Sequence, residues 1–228
     1  MTATASNRAN AQVSTSYLTY SEVSNLIAPT ISRVCFYPLG GTVYLDNISF
    51  TINHRKSARF IVIGASASDG YNASTAARRY VNVVQSNFFE TVCNESSSYN
   101  TTTNSISILP EILAHRPTTA ILMIGGNDLA FGYPASQWQT QYSNLVMQLQ
   151  MNGVTVKHTF QTPRNGVDLR PLRDWITARY PAGDIIDTWS PFVTNAFSLK
   201  PIYDSGDGVH PNDAGHLLLG QIIRTNLP

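Results

Sequence analysis

Three residue types with a shared chemistry stand far apart in the chain. Ser66 follows the run Phe60-Ile61-Val62-Ile63-Gly64-Ala65, and Asp207 precedes His210 by three residues in the glycine-rich stretch Ser205-Gly206-Asp207-Gly208-Val209-His210-Pro211-Asn212. A hydroxyl, an imidazole and a carboxylate together can perform nucleophilic acyl transfer. The imidazole removes the hydroxyl proton, and the carboxylate holds the imidazole tautomer and favours its charged form. Between them, Gly125-Gly126-Asn127-Asp128 offers an asparagine whose amide could donate to an oxyanion. His54, His115, His158 and His216 have no such company and receive no catalytic part; His216 is expected to face solvent. Asp69 and Asp128 are read as loop acids that hydrogen-bond backbone. The sequence contains no CxxC, HExxH or His-rich cluster, so no metal site is expected, and acyl transfer of this kind requires no cofactor.

The flanking sequence tells what must position these groups. Phe60 to Ile63 reads as a strand buried on both faces, and the small residues after it allow a sharp turn into a helix. Ser74 to Phe89 carries Ala77, Tyr80, Val81, Val84 and Phe88 at helical spacing. Thr91 to Cys93 is a short second strand, Asn94 to Asn104 a polar loop, and Ile106 to His115 a helix halted before Pro117. Ala120 to Ile124 is a third strand, and Ala135 to Met151 a long helix with Trp138, Tyr142, Leu145, Val146 and Leu149 inward and Gly153 as its cap. Val154 to Phe160, a helix from Leu169 to Tyr180, a strand from Asp184 to Thr188 and a last helix starting at Asn212 or Asp213 complete the alternation. In that last helix Leu217, Leu218, Leu219, Ile222 and Ile223 are expected to anchor the His210 turn. Strands alternating with helices imply parallel pairing with right-handed crossovers. The expected fold is α/β, a three-layer α/β/α sandwich on a mostly five-stranded parallel sheet, in which a residue after a strand's carboxyl end sits where ligands bind.

In order, Ser66, Asn127, Asp207 and His210 resemble the SGNH (GDSL-type) hydrolase family over residues 58 to 226. Gly125-Gly126-Asn127-Asp128 matches the third family block and Asp207-Gly208-Val209-His210-Pro211 the last. Gly64-Ala65-Ser66 with Gly70 matches the first, except that Ala65 replaces an aspartate that helps hold the nucleophile turn. Asp69 is the nearest substitute carboxylate. The second block is poorly kept in Val92 to Tyr99, where Ser96 aligns with a glycine whose backbone N–H the family uses. The resemblance therefore implies Ser66, His210 and Asp207 as a triad, with the Ser66 and Ser96 N–H groups and the Asn127 amide as oxyanion donors. Phe131 and Tyr133, in the loop after Asn127, and Arg164, after a Thr162-Pro163 like that of the family, are candidate substrate-binding residues.

Composition narrows the partners. The 228 residues carry a formal charge of +1, without a basic block, which argues against nucleic acid. No apolar run approaches the ~20 residues that cross a bilayer, and the first thirty lack the apolar core of a signal peptide. Richness in Ser, Thr and Asn, with only three lysines, fits an extracellular polysaccharide enzyme cut from a larger secreted protein, while the lack of a signal peptide in this chain leaves the cytoplasm open. Residues 1 to 53 form an N-terminal extension with a β-hairpin over 31 to 52, similar in part to the closing strand of a carbohydrate-binding β-sandwich; residues 54 to 228 form the hydrolase domain. Cys35 and Cys93 leave a disulfide and two thiols equally open.

The expected function is cleavage of small acyl esters, acetate foremost, from carbohydrate through an acyl-enzyme. A lipase or thioesterase, and a silent domain that binds glycans, are the alternatives. No loop is apolar enough to form the lid of an interfacial lipase.

Overall fold

The computed structural model describes residues 58–86, 92–194 and 197–228. The extension over 1–53, its hairpin and Cys35 lie outside the described residues. The sheet has five parallel strands in the order β2-β1-β3-β4-β5: β1 Phe60–Gly64, β2 Val92–Asn94, β3 Thr119–Met123, β4 Thr155–Thr159 and β5 Ile185–Ile186. The chain moves outward in one direction from β1 to β2 and in the other from β1 to β3. A crevice therefore opens at the carboxyl ends of β1 and β3, where the strand order reverses.

Both faces of β1 and β3 are buried, as their unbroken apolar runs require. Ile61, Ile63, Ala120 and Leu122 pack with helices α4 (Leu109–Ala114), α6 (Ala135–Met151) and α7 (Arg170–Arg179). Phe60, Val62, Ile121 and Met123 pack on the opposite face with α2 (Tyr80–Gln85) and α8 (Asp213–Thr225). This alternation by single residues along a strand produces the three layers.

Helix α6 has the expected limits, and its end has a physical cause. Gly153 takes φ 75°, donating to Gln150 O while Val154 donates to Leu149 O, the paired bonds of a left-handed helix stop. Other elements are shorter than their periodicity predicts. The segment expected as one helix from Ile106 to His115 is two, α3 (Thr102–Ser107) and α4, because Pro110 has no N–H to continue the ladder. Thr101 caps α3 by accepting from Asn104 N, so the helix begins inside the expected loop. Between Ser74 and Gln85 the α-helix is confined to α2, preceded by a short 3-10 turn over Ala76–Arg78. Upstream, Ser74 donates its N–H and hydroxyl to Asp213, and Arg79 is extended. Strand β5 stops where the Asp187 carboxylate takes the N–H groups of Trp189 and Ser190.

Two expectations for α8 are corrected. His216 is fully buried, taking the Tyr80 N–H on Nδ1 and lying 3.1 Å from Tyr71 O through Nε2. Leu217 is the exposed neighbour, at 49%. The buried face runs through His216, Leu219, Gly220 and Ile223, spaced as one side of a helix.

Candidate active site

Ser66 opens α1 (Ser66–Asp69), the single helical turn after β1. Gly64 lets that turn fold close, since a Cβ there would collide with the Ser68 side chain. Two amides, one from the last residue of β2 and one from the loop after it, grip the turn from one side. Asn100 Nδ2 donates to Gly64 O at 3.0 Å, and Asn94 Nδ2 to Ser68 O at 2.8 Å. The carboxylate absent at Ala65 is thus replaced by neutral amides, and Ala65 itself, 6% exposed, belongs to the apolar core. Asp69 accepts from the Ser98 hydroxyl at 3.3 Å, a further tie between the same two segments.

The loop before α8 is built around carboxylates. Asp204 takes the N–H groups of Gly206 and Gly208, and Ser205 N–H donates to His210 O. Asp207 Oδ1 accepts from Val209 N–H and His210 N–H, each at 2.8 Å, leaving Oδ2 for the imidazole. His210 Nδ1 lies 2.6 Å from that oxygen, and His210 Nε2 lies 2.8 Å from Ser66 Oγ. The Tyr71 ring leans on the imidazole at 4.5 Å between centroids. Burial opposes ionisation of Asp207, but the His210 imidazole and the two backbone N–H groups outweigh it and hold the carboxyl at about 2. It is therefore an anion wherever ester hydrolysis is measured. An ionised acceptor on Nδ1 favours the tautomer with the proton there, which makes Nε2 an acceptor facing the Ser66 hydroxyl.

Asn127 lies in α5 (Gly126–Ala130), directly after β3 and across the crevice from Ser66. Its Nδ2 donates to Asn100 O at 2.9 Å, and its Oδ1 accepts from Arg164 Nη1 at 3.3 Å. Asp128, wholly buried, takes the N–H and hydroxyl of Thr102 and so locks α5 to the start of α3. Burial raises its pKa against those bonds. Arg164 borders the cleft; burial lowers its pKa, the nearby Asp207 charge works the other way, and its Nε is enclosed without a partner.

The cleft is lined by Ser66, Asn127, Gln161, Thr162, Arg164 and His210, among others, and holds about 20 Å³. Ser96 does not border it, and neither do Phe131 and Tyr133. Ser96 Oγ is enclosed without a partner three residues before Tyr99, which has a left-handed backbone at φ 64°. Phe131 is half exposed and pairs with the Tyr133 ring at 6.2 Å. Sequence reasoning passed over Tyr71, Asn72 and Asn100, whose contacts are made by residues remote in the chain. A left-handed Asn72 beside the acid carried no local signal. Among the described residues no group of His, Cys, Asp and Glu could hold a metal ion, and Cys93 is a free thiol 3.5 Å from His115 Nδ1.

The sequence model of the GDSL-like Lipase/Acylhydrolase family matches residues 62–218, well over half the chain. The chain belongs to this family. Its members act on esters, and the chain is a carboxylic ester hydrolase of that class. It is similar to thioesterase 1/protease 1/lysophospholipase L1 of Escherichia coli strain K12, at 25% identity over 174 residues, covering 74% of this chain and 83% of that protein. Among solved structures, a lipolytic protein of the G-D-S-L family from Desulfitobacterium hafniense DCB-2 superposes with a TM-score of 0.67 at 18% identity, covering 77% of this chain and 100% of that one. A two-domain esterase active on acetylated mannans gives a TM-score of 0.58 at 17% identity, covering 75% of this chain and 48% of that one. At these identities the two structural likenesses speak to the fold, and the SGNH α/β architecture is the one observed.

Proposed function

We propose that the protein removes small acyl groups, acetyl foremost, from carbohydrate through a Ser66–His210–Asp207 triad. The observation that carries this reading is the unbroken chain of contacts from Ser66 Oγ through His210 to Asp207, at 2.8 and 2.6 Å. Ser66 attacks the ester carbonyl while His210 takes its proton, and the imidazolium returns that proton to the departing alcohol. Water, activated by the same imidazole, then releases the acid. The developing oxyanion receives the Ser66 N–H and the second Asn127 amide hydrogen.

For the remaining donor the sequence offers Ser96. We favour Tyr99 in its place: the family employs a glycine N–H, and Tyr99 has the backbone conformation a glycine takes most readily. Its N–H has no acceptor among the described residues. Arg164 is assigned a part in substrate binding at the cleft, and Phe131 with Tyr133 forms an outer apolar contact.

A space of about 20 Å³ beside the nucleophile supports a short acyl group, since it accommodates little more than one water-sized group. The polar loops and the mannan-active neighbour support a sugar as the alcohol. The Escherichia coli relative supports a second reading, a thioesterase or lysophospholipase. A chain-length series of nitrophenyl esters, run beside acetylated mannan, xylan and pectin, acyl-coenzyme A and lysophospholipid, separates the two. Turnover that rises with acyl length beyond butyrate would overturn the acetyl reading. Stoichiometric labelling of Ser66 by a fluorophosphonate excludes a silent glycan-binding domain. A serine-, threonine- and asparagine-rich, lysine-poor chain supports work outside the cell as part of a larger secreted protein.

A further inference from the structure

Asn72 lies in the loop after α1, 135 residues from Asp207 in the chain, and the fold brings the two together. Its Nδ2 donates to Asp207 Oδ2 at 3.0 Å and to Ser205 Oγ at 2.8 Å, so both amide hydrogens are engaged. The acceptor on Asp207 is the oxygen that faces His210 Nδ1; Oδ1 is already occupied by two backbone N–H groups. To reach it, Asn72 takes φ 63°, a left-handed conformation uncommon outside glycine that asparagine tolerates better than most residues.

We propose that Asn72 is a positioning residue of the proton relay, fixing the Asp207 carboxylate from the nucleophile's own loop; the inference rests on the triad reading above. A carboxylate with one oxygen anchored can still swing the other. A donor on Oδ2 from the side opposite the loop removes that freedom and holds the oxygen in line with the imidazole. It also withdraws charge from Oδ2, which limits how strongly the acid favours imidazolium over imidazole. The same contact couples the Ser66 segment directly to the loop that carries its base. Among the described residues, the titratable and charged groups about this carboxylate include His210 and Asp204 on its own loop, Tyr71 against the His210 ring and Arg164 after β4.

The contact is separable from folding. Ser74 and Arg78 bind Asp213 independently and keep the two segments joined without Asn72. Glycine accepts the left-handed backbone, so Asn72→Gly deletes the amide without adding strain. Asn72→Asp keeps the shape but sets an acceptor against an acceptor. If Asn72 served only to make the turn, glycine would equal or exceed the parent and aspartate would be nearly neutral.

We expect kcat on nitrophenyl acetate to fall about tenfold in Asn72→Gly and further in Asn72→Asp, with KM within about twofold of the parent. The acid limb of kcat/KM should move to higher pH in both, because a less satisfied carboxylate retains the imidazole proton more firmly. In histidine-labelled protein, the low-field Nδ1–H resonance of His210 should broaden or shift in both variants. A folded Asn72→Gly with parental kcat, acid limb and resonance would overturn the proposal. If the resonance changes while Ser66→Ala leaves turnover intact, the triad reading falls but the Asn72 contact to the acid stands.

Discussion

Arg164 donates from Nη1 to Oδ1 of Asn127 while Asn127 Nδ2 donates to Asn100 O, and the two bonds together fix which way the Asn127 amide faces. With Oδ1 committed to a cation, the NH₂ group is turned to Asn100 O and to the cleft. Asn127→Ala should cost about 10²- to 10³-fold in kcat with little change in KM, the scale of losing an oxyanion donor. Arg164→Met should lower kcat by about tenfold or more, and Arg164→Lys should recover only part, since a point charge cannot reproduce the planar fork. Steady-state kinetics on nitrophenyl acetate read both. A change confined to KM would make Arg164 a binding group alone.

Loss of the Ser66 hydroxyl is the sharpest test of the proposed triad. Ser66→Ala should lower ester turnover by about three to six orders of magnitude while the circular dichroism spectrum is retained. Equal activity in variant and parent would remove Ser66 from the mechanism.

Asn100 performs three tasks at once: it donates to Gly64 O and to Ser105 Oγ, and its own carbonyl accepts from Asn127. Asn100→Ala strands a buried carbonyl at the end of β1, which costs about 1–3 kcal/mol. Thermal unfolding should show that loss, and kcat should fall about tenfold as the nucleophile turn loosens. Asn100→Asp should do no better, because a carboxylate oxygen cannot donate to Gly64 O.

Acid stability follows from a histidine outside the site. His158 is buried in β4 against the Tyr180 ring at 3.9 Å, and burial lowers its pKa from 6.5 to about 4, outweighing the pull of Asp184. The unfolded chain therefore takes up this proton first as the pH falls. The His158 contribution should decline from about pH 6.5 to about pH 4, by on the order of 3 kcal/mol, and change no further below. His216, lowered for the same reason, adds to this slope. Asp207 acts in the next window, its stabilisation present above about pH 4 and lost as the pH falls through about 2. Denaturant titrations across this range should show a shallower slope in His158→Gln; an unchanged slope would acquit His158.

The centre of the sheet was legible because β1 and β3 are buried on both faces as continuous apolar runs, and α6 repeats its inward residues with the helical period. The helices around Ser74 and Ile106 were not, because a bond to Asp213 and a missing N–H at Pro110 interrupt periodic patterns. In α8 five apolar residues seemed to anchor one face, yet a helix cannot turn Leu217 and Leu219 to the same side. The spacing of His216 with Leu219, Gly220 and Ile223 was the available signal. Ser66, Asn127, Asp207 and His210 could be picked out because each sits in a short motif of its own. Asn72 and Asn100 act through partners brought close only by the fold, and no local pattern marks them.

The replacement of the turn's aspartate by Ala65 has an electrostatic consequence. With Asn94 and Asn100 securing Ser66 by neutral amides, the side chains that line the cleft carry one permanent charge, the cation of Arg164. Attraction between the enzyme and an uncharged acyl ester then owes almost nothing to long-range fields. An ester bearing a carboxylate would instead meet the guanidinium, its pull partly offset by the Asp207 anion, and added salt would weaken that pull as the screening length shrinks from about 10 Å at 0.1 M to about 3 Å at 1 M. Ionic strength thereby becomes a discriminator between neutral and acidic esters.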